Sequence, residues 1–269
     1  MTNKMKTEYE SATIIDDDDT IEDEEVIVET IKKPKRVRVK PEPLKKYFKE
    51  DTNVYEIGVD EAGRGPLFGR VYTAGVILPK DDSFDHYKVK DSKKFNSKSK
   101  INEVAEYIKS NAVAWYVSYE DEKTIDDINI LQATQKSMHT SILNVRKQLT
   151  QQMKEVDNND YKLHLLIDGN YFNPITLLNK KNQKLETIPY ICIEGGDNKY
   201  TSIAAASVLA KVARDTYIEE LCVNNPELVD KYCIDSNKGY GAKKHIDGIK
   251  EHGITIWHRR SFGICKNYT

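Results

Sequence analysis

The stretch Val54-Tyr55-Glu56-Ile57-Gly58-Val59-Asp60-Glu61-Ala62-Gly63-Arg64-Gly65-Pro66 runs an apolar segment into two adjacent carboxylates and then into a Gly-Arg-Gly turn. Residues 71–78 resume the apolar, β-branched pattern, so the turn joins two strands of one sheet. A strand that delivers Asp60 and Glu61 into such a turn offers hard oxygen ligands to a divalent cation. The turn's backbone N–H groups and Arg64 meanwhile offer positive charge to an anion. Cation plus phosphate points to phosphoryl-transfer chemistry. An isolated Asp-Glu pair also fits a solvated surface turn, but its place between two strands argues against that reading.

Outward from this stretch, the pattern alternates. Residues 54–59, 70–78 and 112–119 are rich in β-branched and aromatic residues and predict an antiparallel meander. Between the second and third, Ile101, Val104, Ala105 and Ile108 form a helical stripe with Ser97 or Ser99 as N-cap. Leu131, Thr134, Met138, Ile142, Val145 and Leu149 form a second, five-turn stripe that leads into a buried-type strand at 163–167, ending at Asp168-Gly169. A fifth strand at 188–193 precedes Gly195-Gly196-Asp197 and a small-residue helix over 203–221. Strands joined through helices pair in parallel, so the expected fold is α/β, a five-stranded mixed sheet flanked by helices.

Acids recur where these strands stop: Asp60 and Glu61, Asp168, and Asp197 just past the last. Ligands of open α/β sheets gather at the carboxyl ends of strands. Four carboxylates converging there repel one another unless cations neutralise them, and Mg²⁺ or Mn²⁺ suits their hard oxygens. A two-ion site of this kind can activate a water and stabilise a leaving 3′-oxygen, so no nucleophilic side chain is required.

Composition bounds the rest. Residues 1–30 carry eleven acids against two lysines, residues 32–49 carry nine basic residues, and from residue 51 onward acids and bases balance at thirty each. The net charge of −2 thus conceals an acidic tail, a basic hinge and a neutral body. We expect residues 1–50 to be a disordered tail, because their first stretch has too little apolar content to offset ordering entropy. The catalytic body is expected over 51–269. No apolar run reaches about eighteen residues and no secretory core precedes the body, so a soluble, cytoplasmic, monomeric protein without membrane contact is expected. Cys192, Cys222, Cys233 and Cys265 form no C-x-x-C pair and fit reduced thiols. Balanced charge does not exclude nucleic acid, since binding depends on where cations lie.

With these motifs in hand, the chain resembles the type 2 ribonuclease H family, most closely ribonuclease HII. The resemblance is carried by GVDEAGRGPLFG (58–69), DSKKF (91–95), IDDINILQAT (125–134), LLIDGN (165–170), GDNKYTSIAAASVLAKVARD (196–215), KGYGAKKH (238–245) and HRRSF (258–262). It implies a ribonuclease H-like fold with a C-terminal helical, substrate-binding segment over about 222–269. It also implies metal-dependent cleavage of RNA in RNA·DNA duplexes and 5′ to single ribonucleotides embedded in DNA, leaving 5′-phosphate and 3′-hydroxyl ends. Carried over by position, the family's metal-binding, catalytic acids fall on Asp60, Glu61, Asp168 and Asp197. Its reader of the ribose 2′-hydroxyl and adjoining phosphate falls on Gly63, Arg64 and Gly65, and its junction-sensing tyrosine on Tyr240. Arg70 departs from the pattern, standing where the family commonly has proline and adding a cation near the site.

Other signals have competing accounts. Residues 58–65 nearly form a phosphate-binding loop, but Arg64 and Gly65 replace its lysine and hydroxyl residue, which disfavours nucleotide hydrolysis. The lysines around DSKK read alone as a solvated face; within the family pattern Lys93 and Lys94 are placed to meet the duplex backbone. Tyr240 taken alone is a loop aromatic. Lys211 and Asp215 have the spacing of a helical surface pair, and His245 and His258 fit hydrogen bonding better than Mg²⁺ ligation. Leu44, Tyr47 and Phe48 have the spacing of a sliding-clamp peptide, with Pro41 where glutamine is expected, and Lys32–Arg36 resembles a nuclear import signal. A non-catalytic hybrid-binding protein and a ribonuclease HIII-type enzyme are the alternative functions. The intact acids argue against the first, and the GRG and KGYG motifs against the second.

Overall fold

The apolar run that opens the body is a strand, β1 (Val54–Ala62), in the computed structural model of the chain, which describes residues 43–155, 161–179 and 183–268. The acidic stretch, the import-like run Lys32–Arg36 and Pro41 lie outside the described residues. Strand β1 pairs antiparallel with β2 (Val71–Ile77), in the register Glu61↔Thr73, and β2 pairs antiparallel with β3 (Ala114–Glu120). Strand β4 (Lys162–Asp168) then lies parallel to β1 with Val59 opposite Ile167. A small hairpin, β5 (Thr176–Asn179) with β6 (Lys184–Thr187), precedes β7 (Tyr190–Ile193), which lies parallel to β4 with Asp168 opposite Ile193. The sheet order is β3-β2-β1-β4-β7. This is the expected mixed five-stranded α/β sheet; the hairpin is an addition, built from short strands whose Leu178 and Leu185 stay exposed.

Helices cover both faces. Helix α1 (Lys98–Asn111), capped by Ser97 rather than Ser99, buries Val104, Ala105 and Ile108 on one face. Helix α2 (Glu122–Glu155) buries Met138, Ile142, Val145 and Leu149 against Ile57, Val59, Leu165 and Ile167 on the other. It is broken at Asn129, which adopts φ 66° and whose Oδ1 accepts from the Gln132 amide to restart the helix. Helix α3 (Thr201–Asn224) shares the first face with α1. Its contact with β1 is backbone on backbone: a Cβ at Gly58 would lie 2.2 Å from the Ser202 carbonyl carbon. Only glycine permits that approach, and it seats the helix following Asp197 directly on the strand that carries Asp60. Three shorter helices follow, α4 (Glu227–Tyr232), α5 (Ile234–Asn237) and α6 (Lys243–His252). No helix among the described residues is long and apolar enough to cross a membrane.

Residues 43–50, expected to belong to the tail, are described and packed on the body. Glu42–Thr269 forms one compact unit. Leu44 packs against the main core, Tyr47 lies edge-on to His86 at 5.7 Å, and Phe48 lies 5.4 Å from the His164 ring and 5.9 Å from that of Tyr200. The three side chains whose spacing suggests a sliding-clamp peptide are packed on the body in this structure.

Candidate active site

Side chains alternate across a strand, so Asp60 shares the α3 side of β1 with Gly58, and Asp168 shares the same side of β4 with Leu166, which packs on Ile203 of α3. The parallel register places these two acids at the next step past Val59 and Ile167 on neighbouring strands. Asp197 arrives on a 3₁₀ turn (Gly196–Asn198) after β7. Asp60 and Asp197 are buried, and Glu61 is mostly covered. Each carboxylate has its own tether. Asp60 accepts from the Glu61 amide at 2.7 Å, with the Ser207 hydroxyl, itself bonded to Ser92 at 2.9 Å, beside it; Asp168 accepts from the Gly196 amide at 2.6 Å; Glu61 lies 3.3 Å from the Arg64 guanidinium; Asp197 accepts from Asn198 at 3.0 Å. Among the described residues no three His, Cys, Asp or Glu side chains already stand as a group that could hold a metal ion.

The electrostatics are those of desolvated carboxylates crowded on one another. Burial, then the charges of Glu61 and Asp168, pushes the Asp60 carboxyl well above the usual carboxylate range. Burial raises Glu61 despite Arg64, and burial raises Asp168 despite the Gly196 amide. Hard, buried, mutually repelling oxygens are a donor set that a divalent cation would neutralise. Lys93 supplies one positive charge of the chain's own. Its Nζ lies 3.7 Å from Asp197, and although burial opposes its charge, the carboxylates of Asp197, Asp91, Asp60 and Asp168 hold it protonated. Asp91 accepts from the Lys93 amide and from the Asn198 side-chain amide, while Lys94 donates to the Asn198 side-chain oxygen, Oδ1. The DSKK segment is thus joined to the Asp197 turn, a link that a charge run alone does not reveal.

The Gly63–Gly65 turn is oriented from behind. Arg259, fully buried, donates Nη2 to the Gly63 carbonyl at 2.6 Å, Nη1 to Arg64 at 3.0 Å and Pro66 at 2.9 Å, and Nε to Gly69 at 2.8 Å. In a planar trans peptide the N–H opposes the C=O. With the Gly63 and Arg64 carbonyls turned inward, the N–H groups of Arg64 and Gly65 face away from Arg259. Arg214, also buried, crosses beneath Gly63: a Cβ there would lie 2.4 Å from its Nε, and Gly63 has φ +92°. Its Nη2 donates to the Lys238 carbonyl at 2.7 Å and its guanidinium lies 5.7 Å from the Tyr240 ring. Tyr240 is half exposed, with its ring edge 3.7 Å from where a Gly65 Cβ would stand. Burial, then Arg214, pulls the Arg259 guanidinium down to about 9, still cationic at neutral pH. Arg70 is placed differently from expectation: it is sandwiched between the rings of Tyr119 and Tyr217 at 4.2 and 4.3 Å, so its charge is spent on cation–π packing.

His245 and His258 do hydrogen-bond, as expected, and their tautomers follow from their partners. A carbonyl only accepts, so His245 Nδ1 donates to Tyr240 at 2.9 Å. An amide N–H only donates, so His258 Nδ1 accepts from Thr255 at 2.9 Å and its Nε2–H points to His245 Nε2 at 3.1 Å. Burial lowers both, His258 to about 3. For a base whose folded value lies below its unfolded one, stability is full above about 6.5 and declines as pH falls toward 3. Wild type should therefore lose about 2 kcal/mol more than His258→Gln between pH 7 and pH 5 in urea unfolding. Equal losses would remove this account of the pair.

Sequence reasoning singled out neither Arg214 nor Arg259, although both stand in quoted motifs, and it passed over Ser207, Asn198 and Asp91. The usable signal was weak: arginine is seldom fully buried, and nothing in a linear pattern marks an arginine whose partners are distant carbonyls. The Lys211–Asp215 pair is present as expected, at 2.6 Å.

The ribonuclease HII family model matches residues 57–265. Over 220 residues the chain is 41% identical to ribonuclease HII of Bacteroides thetaiotaomicron, covering 81% of this chain and 93% of that one. Its structure is similar to that of ribonuclease H2 from Pyrococcus horikoshii, with TM-score 0.59 and 21% identity over 80% of this chain and 96% of that one. It is also similar to Bst ribonuclease HIII in complex with Mn²⁺, with TM-score 0.53 and 18% identity over 80% and 69% of the two chains. At these identities the structural likenesses speak to fold.

Proposed function

The chain belongs to the ribonuclease HII family and is a ribonuclease H endonuclease, and we propose that it cuts the RNA strand of RNA·DNA hybrids and 5′ to single ribonucleotides embedded in duplex DNA, leaving 5′-phosphate and 3′-hydroxyl ends. Asp60, Glu61, Asp168 and Asp197 are the residues that would hold Mg²⁺ or Mn²⁺ in a two-ion site. When bound, such ions supply an activated water and stabilise the leaving 3′-oxygen. The chain's own groups do the selecting. The outward N–H groups of Arg64 and Gly65 approach the ribose 2′-oxygen, and the exposed Arg64 guanidinium meets the adjoining phosphate. Tyr240 lays its ring on the neighbouring sugar, carried there by the C-terminal segment. Lys93 and Lys94 offer ammonium groups to the strand entering beside Asp197.

The observation that most supports this reading is the meeting of the Gly63–Gly65 turn with Tyr240 beside the strand-ending acids, through Arg214 and Arg259. The test is a DNA duplex containing one ribonucleotide, incubated with Mg²⁺ or Mn²⁺. A single cut 5′ to that residue is expected, with none in the all-DNA duplex and none in excess chelator. Comparable cutting of all-DNA duplex, or binding without cutting in either metal, would overturn the assignment.

A further inference from the structure

The segment ahead of β1 pairs with the turn that carries Asp197. Lys45 N donates to the Lys199 carbonyl at 2.8 Å, and the Lys45 carbonyl accepts from the Thr201 amide at 3.1 Å and the Thr201 hydroxyl at 3.2 Å, a parallel bridge centred on Tyr200. Thr201 opens α3, and its N–H is among the donors a helix cannot satisfy internally. Tyr200, at the cap position, provides no side-chain acceptor. A remote carbonyl therefore caps the helix. The same peptide runs follow directly on Asp197, since Lys199 N and Tyr200 N both donate to the Gly196 carbonyl, at 2.9 and 2.8 Å.

The other end of the segment is fixed to β1. The amides of Phe48 and Lys49 donate to the two carboxylate oxygens of Glu56 at 3.0 and 2.5 Å. Glu56 is buried in β1, in the same strand as Asp60. Lys80 closes the anchor, lying 3.9 Å from Glu56 and donating to the carbonyls of Lys49 and Asp51 at 2.7 and 2.8 Å. Between the two ends, Phe48 packs on His164 of β4 and on Tyr200. Residues 45–49 thus touch β1, β4 and the Asp197 turn, the three elements that bear the acids, while lying ahead of the family match at 57–265. We infer that this strap is a positioning element for the reaction, setting the Asp197 turn against β1 through Lys45 and Glu56. The inference rests on the reading of Asp197 as a metal-holding acid.

The full-length chain carrying Phe48→Ala tests it, because Phe48 is 38% exposed and its truncation leaves the deep core intact. Positioning shells around metal ligands are typically worth about 10- to 100-fold. We expect kcat to fall by about that factor and the half-saturating Mg²⁺ concentration to rise, with KM for a ribonucleotide-containing duplex unchanged. Phe48→Leu should recover most of the loss, and Glu56→Gln, which keeps one acceptor of the anchor and turns the other into a donor facing an amide N–H, should fall between. In an Asp197→Asn background, Phe48→Ala should cost nothing further. A drop in melting temperature with kcat and Mg²⁺ dependence intact, in both Phe48→Ala and Glu56→Gln, would overturn the strap and leave the site reading standing. If Asp197→Asn alone leaves turnover and Mg²⁺ dependence unchanged, it is the site reading that fails.

Discussion

Replacing Asp60 with asparagine is expected to abolish cleavage, by about a thousandfold or more, while making the fold more stable. The two effects share one cause. Asp60 is 4% exposed and faces the charges of Glu61 and Asp168, so its ionised form is penalised by lost hydration and by repulsion at once. Asparagine keeps an oxygen for the Glu61 amide and for Ser207 but carries no charge. In chelator, the variant should melt higher than wild type by roughly 2–4 °C, the shift that about 1 kcal/mol gives a domain of this size. Added Mg²⁺ should reverse the order. A cation that binds only the folded chain stabilises it by mass action, about 2.7 kcal/mol at a hundredfold excess over its dissociation constant. Wild type should gain most of this and the variant little. Thermal melts with and without Mg²⁺, run beside the single-ribonucleotide cleavage assay, decide the matter. A variant that melts lower in chelator, or cuts within tenfold of wild type, would show that Asp60 is not held there against the fold for the sake of chemistry.

That tension explains why the acids were legible in the sequence and much of their support was not. A carboxylate toward the end of an apolar strand contradicts its surroundings, and two on β1, one closing β4 and one just past β7 repeat the contradiction in a readable way. The strands and helices were legible for a similar reason, because residues 54–59 and the stripe from Thr134 to Leu149 each keep one period. Side chains whose partners are backbone atoms leave no such mark. Arg259 binds four carbonyls of a segment far from it in sequence, and no spacing rule connects them. Asn129 breaks α2 ahead of the apolar stripe that begins at Leu131, where a short amide side chain tolerates φ 66° and caps the next turn itself, so no gap in the stripe marks the break. The spacing of Leu44, Tyr47 and Phe48 was visible but ambiguous. An apolar and aromatic cluster looks the same whether it docks on another protein or on its own sheet, and the contacts with His86, His164 and Tyr200 are visible only in three dimensions.

Arg259→Lys should cost both stability and selectivity, and the selectivity loss is the informative one. A lysine ammonium is a compact point charge, whereas the guanidinium reaches the carbonyls of Gly63, Arg64, Pro66 and Gly69 with fixed planar donors. With three donors on a single atom, lysine leaves at least one of these four carbonyls unpaired, so a loss of about 1–3 kcal/mol or more in unfolding free energy is expected. The carbonyls that lose Arg259 are free to rotate toward solvent, and each peptide that turns carries its N–H the other way. The Arg64 and Gly65 N–H groups would then no longer be held on the outer face beside Tyr240. The acids, anchored on β1, β4 and the Asp197 turn, stay where they are. Turnover on the ribonucleotide-containing duplex should therefore fall by about a hundredfold, as it does when an aligned backbone donor is lost, whereas Mg²⁺-induced stabilisation should persist. Measuring both below the variant's melting temperature separates the two roles. If Arg259→Lys is folded, keeps the Mg²⁺ shift and still cuts the single-ribonucleotide duplex at the wild-type rate, the orientation of the Gly-Arg-Gly turn does not depend on Arg259. If turnover and the Mg²⁺ shift are lost together, the arginine supports the acid cluster as well as the loop.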